Sequence, residues 1–196
     1  MKTIKIDMTD YLEICNPVII AEIGVMAGKV SHYLLSRIPS IEKLYMIDPW
    51  IEYDKMGQSE SKDKRLLSYD QEYWDDMYSR SVKVAARHPG RAEVIRKTSF
   101  DAAKGFEDST FDVVVIDADH TYLSVLIDIM TWLPKLKDGG IFVSHDYSSG
   151  WRDVVRAIDD VFGGDFTRLN HSYIAVELDK ELKVRYMKRI NELMGK

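Results

Sequence analysis

PVIIAEIGVMAGKVSHYLLSRIPSIEKLYMID, residues 17–48, carries an apolar β-branched run, a glycine turn, an amphipathic stretch and a second apolar run closed by Asp48. The first run is short and rich in valine and isoleucine, which suits a strand; the following spacing of apolar residues suits a helix. A strand–turn–helix–strand unit of this length is the kind that cradles a nucleoside. The turn passes close to the ligand, so Gly24 and Gly28 are expected to keep side chains out of its way. Asp48, about twenty residues beyond the turn, is placed to accept hydrogen bonds from ribose hydroxyls.

Further strands are expected at VIIAEI (18–23), KLYMI (43–47), AEVI (92–95), DVVVID (112–117), GIFVS (140–144) and YIAVEL (173–178). Continuous apolar runs belong to strands covered on both faces, and helical patterns near 29–38, 69–88, 121–136, 151–162 and 180–194 alternate with them. The pattern predicts an α/β domain with a mostly parallel sheet and helices on both faces. Right-handed crossovers put the carboxyl ends of the parallel strands along one edge, where Glu22, Asp48, Ser99, Asp117 and Asp146 fall.

The length of 196 residues suits one domain spanning 1–196. A net charge of −5 with 30% charged and 45% hydrophobic residues fits a soluble protein without a basic footprint for nucleic acid. Cys15 is the single cysteine, which rules out an intramolecular disulfide or a cysteine-based zinc site. No apolar run approaches membrane-spanning length and MKTIKIDMTDYLEI lacks the apolar region of a signal peptide, so a cytoplasmic location and no membrane partner are expected. Residues 50–80 begin polar and then bring Tyr69, Tyr73, Trp74 and Tyr78 at near-helical spacing; they are read either as a lid over the ligand edge or as a loop and surface helix.

DVVVIDADHTY (112–122) ends a strand with Asp117, Asp119 and His120, and GGIFVSHDY (139–147) ends the next with His145 and Asp146. Carboxylates suit Mg²⁺, Ca²⁺ or Mn²⁺, while imidazole shifts the preference toward Mn²⁺, Fe²⁺ or Zn²⁺. The competing expectation is that Asp119 or His120 merely caps a helix starting near Thr121.

Taken together, AEIGVMAG, YMIDPW, VVVIDADHTY and WLPKLKDGGIFVSHDY resemble the class I S-adenosylmethionine-dependent methyltransferases, specifically the small bacterial group related to macrocin, cephalosporin and catechol O-methyltransferases. The similarity covers nearly all of residues 17–178. It implies a Rossmann-like three-layer sandwich with a mostly parallel seven-stranded sheet. It implies S-adenosylmethionine as cofactor, with Glu22 and Gly24 at its methionine end, Gly28 opening the helix, Asp48 on the ribose, and Thr98, Ser99 and Phe100 lining the adenine. Trp50, Tyr147 and Trp151 could stack on cofactor or substrate, and Asp117 belongs to both cofactor and metal sites. The resemblance assigns Asp117, His145 and Asp146 to a divalent ion, Mg²⁺ or Mn²⁺, although histidine replaces the usual acid at 145. His120 stands where the catechol enzymes have their lysine base, so His120, or His145 without a metal, is the expected base.

The implied reaction is methyl transfer to a hydroxyl of a small molecule, a sugar or phenol. Two rivals share the nucleoside unit. A nicotinamide oxidoreductase would use G-x-G-x-x-G, but Met26 holds the middle glycine position. A non-catalytic nucleoside-binding protein would keep the pocket alone. KELKVRYMKRINELM places Leu182, Val184, Met187, Ile190, Leu193 and Met194 near one helical face, expected to pack on its own domain, with a homo-oligomer as the alternative.

Overall fold

The strand tips that were expected to share one edge do so because five strands run in parallel. In the computed structural model, which describes residues 1–52, 55 and 66–195, these are β2 (Ile19–Ile23), β3 (Lys43–Asp48), β4 (Ala92–Arg96), β5 (Phe111–Ile116) and β6 (Leu136–Ser144). β8 (Ile174–Leu178) pairs antiparallel with β6, and the two-residue strands β1 (Lys2–Thr3) and β7 (Thr167–Arg168) complete the far edge. The order is β1-β7-β8-β6-β5-β2-β3-β4, eight strands among the described residues rather than seven. The added pairing, Lys2 with Thr167 and Thr3 with Arg168, joins two-residue strands far apart in sequence and leaves no local periodicity to read.

Alternation along each strand builds two cores. Val113 and Val115 of β5 pack with Ile20 and Met46 against α1 (Met8–Cys15), α2 (Lys29–Arg37) and α3 (Gln71–Ala86) through Leu12, Leu34 and Met77. Val114 and Ile116 face the other way with Ala21 and Phe142, under α5 (Tyr122–Trp132), α6 (Arg152–Phe162) and α7 (Lys180–Met194); α4 (Ser99–Ala103) contributes Ala102 and Ala103 there. Burial on both faces is why the strands read as continuous apolar runs. α7 docks on its own domain, with the Tyr186 ring edge-on to Phe162 at 4.9 Å.

Arg91 closes the end of α2 by donating to the carbonyls of Leu35 in its last turn, of its cap Ile38 and of Ile41 just beyond, at 3.1, 3.0 and 2.7 Å. Strand order reverses at β2, which lies between β5 and β3, so the crevice beyond its carboxyl end is where this sheet can admit a ligand. None of the helices among the described residues is long and apolar enough to cross a membrane.

Candidate active site

A cavity of about 770 Å³ opens over the tips of β2, β3, β4, β5 and β6. Its wall runs from His145 and Asp146 past Asp117, Glu22 and Gly24 to Asp48, and on to Thr98, Ser99 and Phe100. The expected cap over 50–80 lies partly outside the described residues; within them, Leu66, Tyr69 and Trp74 line the cavity.

The turn after β2 is shaped by its neighbours before any ligand arrives. Gly24 has φ +84°, and a Cβ there would stand 2.0 Å from the Asp117 carbonyl oxygen. Gly28, at φ +75°, opens α2 where a Cβ would crowd Met46 and Val84 at 3.1 and 3.2 Å, and it does not line the cavity. The glycines serve close packing of β2 on β5 and of the turn on α3, and Gly24 also lines the cavity, where clearance for a ligand was anticipated.

Asp48 is similarly committed. Its Oδ2 accepts from the backbone amides of Val25 and Met26, both at 3.0 Å, and its Oδ1 accepts from the Trp50 amide at 2.8 Å. Each carboxylate oxygen has two lone pairs, so Oδ2 is filled and Oδ1 keeps one. Asp48 reaches the cavity, but a grip on ribose through both oxygens would require the turn to release it. Burial raises its pKa despite those three amides and Arg96. Trp50 is fully buried, its indole donating to the Met26 carbonyl at 2.7 Å; it braces the turn from behind and is not part of the cavity wall.

Glu22 is buried behind the turn and accepts a short hydrogen bond from the Ser31 hydroxyl. Burial pushes its carboxyl up to about 8, with Asp117 and Asp48 adding repulsion against the help of Ser31. The folded state then binds a proton that the unfolded chain has released, so stability falls as pH rises from the ordinary 4.5 through about 8. Glu22→Gln should flatten that decline, gaining on the order of a few kcal/mol at pH 8 relative to pH 5. Denaturant midpoints at the two pH values check this; parallel profiles for the two proteins would contradict it.

The tips of β5 and β6 carry the charged cluster. Ligand-capable atoms of Asp117, His120 and Asp146 all lie within 4.8 Å of one another. His120 Nε2 stands 2.8 Å from Asp146 Oδ2 and 3.8 Å from Asp117 Oδ1, without hydrogen-bond geometry. His145 Nδ1 stands 3.2 Å from Asp117 Oδ1 and 3.3 Å from Asp146 Oδ2. Trp151 lies over the His120 ring at 4.1 Å and 22°, which fixes its plane. Burial alone would lower both imidazole pKa values, but the two carboxylates overcome it and raise His120 to about 9 and His145 to about 10. Burial opposes ionisation of Asp146 and Asp117 too, yet the imidazoles hold both below the usual carboxylate range. At neutral pH in the ion-free protein both histidines are therefore cations, and neither can take a proton until something else neutralises the carboxylates.

Residues 21–147 match the family model described as a methyltransferase domain. The chain belongs to this methyltransferase family. The matched segment holds the glycine turn, Asp48 and the whole Asp117–His120–His145–Asp146 cluster. Over 74 residues, 38% of this methyltransferase chain, the sequence is 30% identical to an uncharacterized protein, y4gI, of Sinorhizobium fredii; the stretch is 8% of that longer protein. Three solved structures share the fold. The O-methyltransferase TomG of Streptomyces achromogenes, in complex with S-adenosylmethionine, aligns at TM-score 0.55 and 15% identity over 86% of this chain and 77% of its own. A methyltransferase of Geobacter sulfurreducens aligns at 0.57 and 13%, over 88% and 76%. A spermidine synthase with a transition state analogue aligns at 0.54 and 16%, over 95% and 72%. Proteins named for different group transfers thus share this sheet, and the reaction of this methyltransferase must be argued from its own site.

Three of the sequence expectations are redrawn by the geometry. Of the aromatics, Trp151 faces the cavity, whereas Tyr147 turns into the core, donating to Asp159 at 2.8 Å. His120, expected as a base apart from the candidate ion ligands, stands in one cluster with the expected Asp117, His145 and Asp146. Asp119 caps no helix: the cap of α5 is Thr121, whose side chain accepts from the Ser124 amide. Sequence reasoning passed over Asp128, which is buried on the cavity wall and accepts from the Ser99 hydroxyl at 2.5 Å. Its signal was a lone acid on the apolar face of YLSVLIDIMTW, in register with Ser124 and Trp132.

Proposed function

We propose that this methyltransferase uses S-adenosylmethionine to methylate a hydroxyl oxygen of a small molecule, with a divalent cation held at Asp117, His120 and Asp146 beside His145. The observation that carries the reading is that one cavity joins the glycine turn and Asp48 to that cluster. The wall also bears Glu22, Asp119 and Asp128, an excess of acids that suits a cationic cofactor and disfavours the pyrophosphate of a dinucleotide.

The donor set fits an ion. Two ligands at right angles around a cation with bonds of about 2.1 Å stand about 3 Å apart, and the closest contacts in the cluster are 2.8, 3.2 and 3.3 Å. Mixed carboxylate and imidazole donors favour Mn²⁺ or a similar ion over Mg²⁺. When bound, S-adenosylmethionine supplies an electrophilic methyl on a cationic sulfur, and a divalent ion supplies Lewis acidity that lowers the pKa of a coordinated hydroxyl.

The chain's own groups provide position and charge. Asp48 holds the Val25 and Met26 amides so that the turn keeps its shape. Glu22 offers a carboxyl that can lose its proton when a cation enters. Trp151 keeps the His120 ring in plane, and Asp117 and Asp146 supply the negative charge that offsets either two imidazolium rings or an ion with neutral imidazoles. Pre-set positions and charges of this kind lower a transfer barrier without reorganisation during the reaction.

Titration calorimetry with S-adenosylhomocysteine, run with Mn²⁺ and again in EDTA, tests the reading. Micromolar binding is expected in both conditions, with Mn²⁺ binding detected separately. A folded protein that ignores S-adenosylhomocysteine and binds NAD or NADP instead would overturn it.

A further inference from the structure

The sheet's own register brings one more side chain to the charged cluster, from β8. Ile116 pairs with Ser144, and Ser144 with Ile174. Asp117, His145 and Tyr173 are therefore the next residues on three neighbouring strands. Side chains alternate along a strand, and Val115, Val143 and Ala175, each two residues away, lie in the core beneath α1, α2 and α3, so all three leave the sheet on that face. His145 stands between its two neighbours. Its Nδ1 is 3.2 Å from Asp117 Oδ1, and the Tyr173 ring lies 4.3 Å away between centroids, tilted by 41°. Burial, with Asp117, Glu22 and Asp146 nearby, holds the Tyr173 phenol protonated well above the ordinary tyrosine range, so the ring adds no charge to the cluster. Tyr173 does not line the cavity, which leaves His145 as the group it can act through.

The turn that delivers Tyr173 is strained. The Tyr173 amide donates to Asn170 O at 3.3 Å, and the two residues between them, His171 and Ser172, have φ 55° and 65°. Hairpin turns with both central residues left-handed ordinarily use Asn-Gly, because a Cβ is disfavoured there. Here neither residue is glycine, and three ties keep the turn closed. The Asn170 amide donates to Ile6 O at 2.9 Å, the Asn170 side chain to Asp7 Oδ1 at 3.0 Å, and the Tyr147 amide to Ser172 O at 2.9 Å. The last tie fastens the turn to the residue directly after Asp146. Strain of this kind persists only where the surroundings over-determine it, and it gathers at functional sites.

We propose that Tyr173 is a positioning residue of the ion site: held by this turn, its ring backs His145 so that Nδ1 stays toward Asp117 and Asp146 and keeps the two carboxylates spaced for a cation. This rests on the ion reading above and extends it to a residue outside the cluster. Partners that orient a ligand commonly matter to ion affinity nearly as much as the ligands do.

Mn²⁺ titration of the full chain, followed by electron paramagnetic resonance, tests this on the wild type, Tyr173→Phe and Tyr173→Leu. Phenylalanine keeps the ring and should hold Mn²⁺ within about 3-fold of wild type, whereas leucine should weaken it about 10-fold or more, the scale for loss of a group that supports a ligand. S-adenosylhomocysteine affinity should be unchanged in both. A double-mutant cycle separates positioning from general structure: in a His145→Asn background, Tyr173→Leu should change Mn²⁺ affinity by no more than about 2-fold, because the ring then has no imidazole to hold. Should Tyr173→Leu fail to fold, Tyr173→Met, which fills the same space flexibly, repeats both measurements. A lower melting temperature with unchanged Mn²⁺ affinity overturns the proposal, as does an equal loss in the two backgrounds or an equal loss in Tyr173→Phe and Tyr173→Leu. Each of these leaves the ion reading standing. A folded wild type that binds no Mn²⁺ overturns both.

Discussion

Gly24→Ala is expected to destabilise the protein by roughly 3–5 kcal/mol, adding the cost of left-handed backbone for a residue with a Cβ to that of overpacking. In a domain of this size that corresponds to a melting temperature lower by about 10 °C or more. At Gly24 both costs are real. Its φ is +84°, and the added Cβ would meet the Asp117 carbonyl oxygen at 2.0 Å, the carbonyl carbon at 2.5 Å and Ala118 Cα at 2.8 Å. All three are backbone atoms of the segment leaving β5, so no side chain can swing aside. Nor can the turn retreat, because the Gly24 amide donates to Ile47 O at 2.9 Å and the Asp117 amide to Ile23 O at 2.8 Å. The segment that must yield carries Asp117, so ion affinity should fall together with stability. Gly90→Ala is the control: its φ is +78° and a Cβ there would meet nothing within 4 Å, leaving the backbone cost alone, about 1 kcal/mol. Equal melting temperatures for the two variants would sink the argument from close approach.

The same glycine shows how sequence and structure divide the explanation. The turn was legible because strand, glycines and amphipathic helix follow one another within 17–48. The reason for Gly24 was not, because its crowding partner lies 93 residues away, at 117. The long elements were legible for the same local reason: the runs at 18–23 and 43–47 became Ile19–Ile23 and Lys43–Asp48, and the helix expected near 151–162 became Arg152–Phe162. What escaped was short or polar. α1 buries only Met8 and Leu12 among polar neighbours, and α4 is a five-residue turn capped by Thr98. Asp48 lies where the sequence put it, at the carboxyl end of β3 on the cavity wall, while its capture by three backbone amides could not be read from spacing. His120 and His145 were legible as chemistry, but their charge was not. It follows from how closely Asp117 and Asp146 approach each ring, a property of two strand tips in register.

That register makes Asp146→Asn the most telling change at the cluster, with an expected loss in Mn²⁺ affinity of about 100-fold or more, larger than the effect of removing a residue that only supports a ligand. Asp146 has φ 60°, a left-handed conformation that asparagine tolerates, so the substitution removes charge without forcing the backbone. S-adenosylhomocysteine affinity should stay within about 3-fold, since Asp48 and the glycine turn are untouched; methyl transfer that depends on the ion should be lost. The proton equilibria give an independent readout. Against burial, Asp146 and Asp117 together hold His120 at about 9 and His145 at about 10, so deleting one carboxylate should bring both toward the ordinary value of 6.5. Imidazole resonances followed by NMR would report that movement directly. The sign for stability follows: a raised histidine pKa stabilises the fold fully below 6.5, and that contribution disappears as pH rises through about 9 to 10. Asp146→Asn should therefore be less stable than wild type at pH 6 and approach it above pH 10. If Mn²⁺ affinity and both imidazole pKa values were unchanged, Asp146 would be a bystander, and the close contacts at 2.8 and 3.3 Å would have no bearing on ion binding.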